Sequence, residues 1–224
     1  MIASFTFAVD GPSFETRTSA VAAGSIWVVT WFGTREICFG EIESVRDRGG
    51  HSGRVRADRF GHLWAADLDR GFIRYDGEVA RRFPHDGVHG IYGSSPRNDG
   101  TLWLASDDGV FVTQRDDAPP RHCDAPPPDD WDHGWENSWI GAILEDSNGR
   151  LWFSCDEAVY ECHADSFAAG LPVGWRRTPI PRSGIGSELL EVAPGTIWLA
   201  TTEAGLFRLG QNAASPLSEN DDLE

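Results

Sequence analysis

The chain contains no lysine: all 19 of its basic residues are arginine, against 35 aspartates and glutamates, for a formal net charge of −16. Without lysine there is no Schiff-base amine, no anchor for pyridoxal phosphate and no P-loop cation. The acidic balance makes nucleic acid and anionic membrane surfaces poor candidate partners, because such binding draws on basic side chains that displace counterions. Four cysteines in 224 residues are too few for a disulfide scaffold. No run approaches the roughly 18 apolar residues of a membrane-spanning helix. The first ten residues have neither the basic segment nor the apolar core of a signal peptide. A cytoplasmic protein with reduced thiols is the expectation.

What the chain has in quantity is tryptophan, ten in all, and glycine, 25. Five of the tryptophans recur in one setting: Gly24-Ser-Ile-Trp27, Gly61-His-Leu-Trp64, Gly100-Thr-Leu-Trp103, Gly149-Arg-Leu-Trp152 and Gly195-Thr-Ile-Trp198. Their spacings are 37, 39, 49 and 46 residues. A second element follows each, as in Gly71-Phe-Ile-Arg, Gly109-Val-Phe-Val and Gly205-Leu-Phe-Arg. Turns of the kind that close hairpins precede the glycines: Asp58-Arg-Phe-Gly61, Asn98-Asp-Gly100 and Asp146-Ser-Asn-Gly149. Each copy therefore reads as four short antiparallel strands, one blade of a β-propeller.

The fold expected is all-β: a five-bladed propeller over residues 1–210, with 211–224 an acidic, unstructured tail. The fifth blade lacks an evident outer strand. The alternating segment Ile2–Val9 is assigned there, which would close the ring and remove an edge. Mid-strand tryptophans read as core between blades. In the fourth blade a hairpin places Cys155 opposite Ala158 and Cys162 opposite Leu151, which leaves both thiols unpaired.

The segment Ile143-Leu-Glu-Asp-Ser-Asn-Gly-Arg-Leu-Trp152 resembles the two-component regulator propeller repeat. Streptogramin lyases are propellers of similar look. The resemblance spans residues 16–209 and implies the blade architecture. The family's sensor regions belong to hybrid two-component systems, but no catalytic motif carries across residue by residue.

Site residues must therefore come from placement. Loops from outer to inner strand, and from second to third strand, share one face of a propeller, and four of the seven histidines fall there: His51, His85, His89 and His133. Ten residues before each repeat tryptophan stand Arg17, Arg54, Gly93, Ala142 and Glu188. If that row faces a central channel, its arginines would hold a planar anion and Glu188 would act as base or ligand. The insertion 115–138 is rich in proline and tryptophan, and reads either as a lid bearing His133 and Trp135 or as packing on the side of the fourth blade.

The candidate catalytic set is thus His51, His89, His133 and Glu188, with Arg17, Arg54, Trp31, Trp135 and His85 as substrate-binding residues. These groups suit lyase, cyclase or hydrolase chemistry on an anionic or polar small molecule, unaided or with a divalent metal ion as cofactor. The alternative is a non-catalytic propeller that binds a carbohydrate, a sensed ligand or a protein. A monomer or weak oligomer is expected.

Overall fold

Hairpin-forming glycines and alternating apolar residues make a succession of antiparallel meanders. The computed structural model describes residues 18–22, 25–30, 33–38, 45–47, 51–67, 71–76, 79–106, 108–124, 140–155, 158–180, 186–210 and 214–216; for 18–47, 51–55, 67, 186 and 187 it describes the backbone alone. The first sheet comprises β1 (Thr18–Ala22), β2 (Ser25–Thr30), β3 (Gly33–Cys38) and β4 (Val45–Asp47). The second has β5 (His51–Ala57), β6 (Leu63–Asp67), β7 (Gly71–Asp76) and β8 (Val79–Pro84). The third has β9 (Ile91–Pro96), β10 (Leu102–Ser106), β11 (Gly109–Val112) and β12 (Arg121–His122). The fourth has β13 (Ala142–Glu145), β14 (Arg150–Cys155), β15 (Ala158–His163) and β16 (Arg176–Pro179). The fifth has β17 (Gly186–Ala193), β18 (Thr196–Thr201), β19 (Leu206–Leu209) and β20 (Ala214–Pro216). A single parallel bridge, Gly53 to Ile91, links the second and third into one eight-stranded sheet. First strands lie side by side in chain order, β1 on β5, β5 on β9, β9 on β13 and β13 on β17.

The core lies between sheets. Trp64 packs with Ile91, Leu104 and Phe111 of the third sheet. Trp103 packs with Ile143, Leu151 and Phe153 of the fourth, and Trp152 with Leu189, Leu199 and Phe207 of the fifth. Each tryptophan-bearing face thus covers the opposite face of the next sheet. Trp64, Trp103 and Trp152 are fully or almost fully buried. In the fifth sheet Leu190, opposite Trp198, is 57% exposed, and Leu206 is 45% exposed.

One carboxylate sets each of two turns and its tryptophan together. Asp146 Oδ1 accepts the backbone N–H groups of Asn148 and Arg150, both at 2.9 Å, while Oδ2 accepts the Trp152 indole N–H at 2.9 Å. Asp58 does the same for Phe60, His62 and Trp64, at 2.9, 2.9 and 3.1 Å. In the third sheet Arg97 stands where the aspartate would be, and Trp103 donates instead to Glu145 of the next sheet at 2.6 Å.

Glutamates seven residues before the tryptophan tie neighbouring turns. Glu145 accepts the Asn98 N–H at 3.1 Å, and Glu191 accepts the Ser147 N–H at 2.8 Å and its hydroxyl at 2.7 Å. Pro96 holds that position in the third sheet, and the tie there is backbone to backbone, from Arg59 N–H to the Gly100 carbonyl at 3.3 Å.

Three features depart from the sequence reading. The outer edge of β19 belongs to β20, with Phe207 opposite Pro216, so it is not open to the N-terminal segment assigned to it. Ile2–Val9 itself lies outside the described residues, as does any ring closure through it. Ala214–Pro216 also falls within the segment expected to be an unstructured tail. Its three residues are too few to show alternation, and proline is tolerated because this is an edge. The third departure is α1 (Ala164–Ala168), a single turn that drives Phe167 into the core beside Trp103 and Phe153, at ring-centroid distances of 5.9 and 5.3 Å. By contrast, Cys155 does pair with Ala158 and Cys162 with Leu151, as read from the hairpin.

Asp146→Ala should cost about 2 to 4 kcal/mol, since one buried acceptor leaves three donors unmatched; urea unfolding followed by circular dichroism checks it. Glu191 supplies an acid-sensitive element. Burial raises its carboxyl, but hydrogen bonds from Gly195 and Ser147 outweigh that and hold it below the ordinary 4.5. A lowered folded-state value means the stabilisation is complete above the unfolded value and is lost as pH falls through the folded one. Denaturation midpoints should therefore drop below about pH 4.5 in the wild type and fall less steeply there in Glu191→Gln.

Candidate functional site

Part of the expected loop face is assembled as read. The 85–90 connection and the turn at Asp108 meet at one end of the second and third sheets. His85 Nδ1 lies 3.4 Å from Asp108 Oδ2, beyond hydrogen-bonding geometry, and a Cβ on Gly87 would fall 2.4 Å from the Asp108 carboxyl carbon. The histidine ring lies T-shaped to Phe111 at 5.1 Å, and His122 lies T-shaped to the same phenyl at 4.9 Å. His122 Nε2 sits 3.1 Å from the Asp108 carbonyl, and Nδ1 sits 2.7 Å from Asp124 Oδ1. His122 was not among the candidates. Its strand position opposite Phe111 brings it here.

The other candidates are dispersed or lie outside the described residues. His89 is exposed in the 85–90 connection. His51 and Arg54 belong to β5, where only the backbone is described, with His51 opposite Asp67. Arg17, Trp31, His133 and Trp135 lie outside the described residues. The row that was expected to face a channel runs between sheets where it is described. Gly93 pairs with Ala105 and Ala142 with Ser154, two residues beyond the tryptophan, on the face that meets the next sheet. Glu188 pairs with Ala200 on the same face of the fifth sheet and is exposed there. Among the described residues, no three histidine, cysteine, aspartate or glutamate side chains gather in a metal-ligating group. The first part of the long insertion docks on the second sheet: Arg74 donates to the Asp116 carbonyl at 3.0 Å and to Asp117 at 2.7 Å, and Arg81 pairs with Asp117 at 2.5 Å.

A cavity of about 300 Å³ opens at the opposite end of the third sheet, lined by Arg97, Asp99, Thr101, Val112, Thr113, Gln114, Arg115, Asp116 and Arg121. The repeat assigns no role to it. Arg97 is committed: its guanidinium contacts Asp99, Glu145 and Asp165 at 3.2, 3.4 and 3.1 Å and lies 4.8 Å over the Trp103 ring. Arg115 donates to the Asp99 carbonyl at 2.7 Å. Asp99 is held anionic. Burial raises its carboxyl, but the Thr101 hydroxyl and N–H, with Arg97 and Arg115 nearby, lower it further. The side chains of Arg121 and Gln114 have no hydrogen bond or ion pair with any described residue. The three arginines come from a turn, an insertion and an edge strand, so no spacing announces them.

The thiols take no part in either place. Cys123 is buried in the core with its pKa pushed up to about 12 by desolvation, and burial also raises Cys162. Cys123 and His122 point to opposite sides of an extended segment, one inward and one toward Asp124, so they form no catalytic pair.

Residues 134–157 match the family model for the two component regulator propeller. The fourth unit carries that repeat. The chain is similar in fold to the extracellular domain of BT3049, a hybrid two component system from B. thetaiotaomicron, with a TM-score of 0.65 and 16% identity over 93% of this chain and 29% of that one. It is similar to PorZ, a surface component of the type-IX secretion system of Porphyromonas gingivalis, with a TM-score of 0.64 and 14% identity over 92% of this chain and 34% of that one. A gluconolactonase from Xanthomonas campestris, XC5397, aligns with a TM-score of 0.55 and 18% identity over 86% of this chain and 71% of that one. The propeller architecture is therefore the shared feature, and the chain spans about a third of the length of BT3049 and PorZ. No curated protein matches the chain.

Alkylation with iodoacetamide at pH 8 should label Cys155, which is half-buried, well before Cys123 or Cys162, and denaturant should abolish the difference. Peptide mass mapping reads the order.

Proposed function

We propose that this regulator-type propeller unit is a recognition module that binds a small polar molecule in the cavity at the end of the third sheet. The observation that carries this reading is the state of the polar groups lining that cavity. Arg97, Arg115 and Asp99 are fixed by partners and form a rigid wall, whereas Arg121 and Gln114 offer donors that nothing described in the chain uses. A preorganised wall with spare donors suits binding, because little ordering cost remains at the moment of contact. Likeness in fold to the extracellular domain of a two component system is in keeping with such a role by analogy.

A catalytic role is the second reading, and one observation favours it. His122 lies 2.7 Å from the Asp124 carboxylate and shares the Phe111 ring with His85, an arrangement in which a carboxylate could orient an imidazole for proton transfer. Lyase, cyclase or hydrolase chemistry would sit there. The gluconolactonase likeness in fold is compatible with that reading and no more specific.

Saturation-transfer NMR with a panel of small polar metabolites separates the readings. Recognition in the cavity predicts binding that Gln114→Ala weakens and His122→Ala leaves unchanged. Dependence on His122 with no effect of Gln114 would move the site to the histidine end.

A further inference from the structure

Corresponding cross-strand rows in the middle sheets differ at one position. In the second sheet the row runs Trp64, Arg74, Arg81, and both arginines are paired with Asp117 from the insertion. In the fourth it runs Trp152, Glu161, Arg176. Glu161 is 1% exposed and is held between Arg150 and Arg176. In the third sheet it runs Trp103, Val112, Arg121. Arg121 occupies the place of Arg176, but valine stands where Glu161 would meet it. The outer guanidinium has an acidic partner in both neighbours and none here among the described residues.

We propose that a hydroxylated monocarboxylate supplied from solution takes the place of that missing side chain, its carboxylate on Arg121 and its hydroxyl groups on Gln114 and Asp116. This rests on the recognition reading above and names its ligand class. Guanidinium binds a carboxylate through two parallel charge-assisted N–H···O bonds, which an uncharged ligand cannot offer. The charge count limits the ligand to one carboxylate. Arg97 is spent on Glu145 and Asp165, and Asp99 repels a second anion from the far wall. A cavity of about 300 Å³ is sized for a molecule of sugar-acid dimensions.

Calorimetric titration of the full chain with gluconate and glucuronate, against glucose and citrate, tests the assignment. Binding of the two monocarboxylates, at least about tenfold weaker binding of glucose and citrate, and a similar loss in Arg121→Gln are expected. Val112→Glu supplies the carboxylate from within, as Glu161 does in the fourth sheet, and should abolish binding while leaving the far-ultraviolet spectrum intact. If Val112→Glu does not fold, Arg121→Gln decides alone. Equal binding of glucose and glucuronate, or glucuronate binding unchanged in Arg121→Gln, overturns the carboxylate assignment and leaves a recognition cavity. Absence of binding to every probe overturns both.

Discussion

The indole N–H of a mid-strand tryptophan, held by a buried carboxylate, is the contact on which the stack of sheets depends. Tryptophan offers the largest apolar surface of any side chain but carries one donor that must be matched when buried. At Trp64 and Trp152 the match is an aspartate six residues earlier, whose other oxygen caps two N–H groups of the turn. The turn thereby fixes where the ring lies, and the ring fixes how the next sheet sits. Trp198 shows the converse. Valine stands in place of the aspartate six residues before it, and its face carries the exposed Leu190 and Leu206.

That coupling explains why the fold was legible in the sequence while much of the site was not. Gly-x-Ile/Leu-Trp recurs because every unit solves the same problem, and strand register then follows from the two-residue period. Cys155 and Cys162 could be placed opposite Ala158 and Leu151 from that period alone. The same counting offered Glu188 for a channel axis if its row faces one; in the fifth sheet it is exposed on the tryptophan face. Position along a strand gives a face, and which face meets solvent depends on the neighbouring sheet. His85 and Asp108 were placed on one end because loops alternate ends. His122 entered only through the pairing of a two-residue strand, which no pattern in the sequence reveals.

β20 and α1 escaped for related reasons. Three residues at a sheet edge have no alternation to read, and a five-residue helix has no complete amphipathic period. β20 supplies the fourth strand of the fifth unit, whereas α1 is one of the additions outside the repeat. The longest of these, the insertion after Arg115, was read as a lid or as side packing on the fourth blade. Its described part packs on the second sheet through Asp116 and Asp117, while the tryptophan-bearing part lies outside the described residues.

The exclusive use of arginine takes on a structural meaning once the sheets are in place. Arg74 lies 5.7 Å over Trp64, Arg97 4.8 Å over Trp103 and Arg176 5.8 Å over Trp152, each also bonded to carboxylates. A planar guanidinium can stack on a ring and still direct N–H groups sideways, whereas a lysine ammonium can occupy one role at a time. Burial works against the charge of Arg74, yet Asp76 and Asp117 hold its pKa above the ordinary value, so the cation persists at the rim of the core. A net charge of −16 is thus compatible with local sites of positive potential, because Arg74, Arg97 and Arg176 are held against the buried tryptophans. Arg121, the cross-strand counterpart of Arg176, has no acidic partner among the described residues, and the proposed ligand carboxylate would give it the pairing that Glu161 gives Arg176.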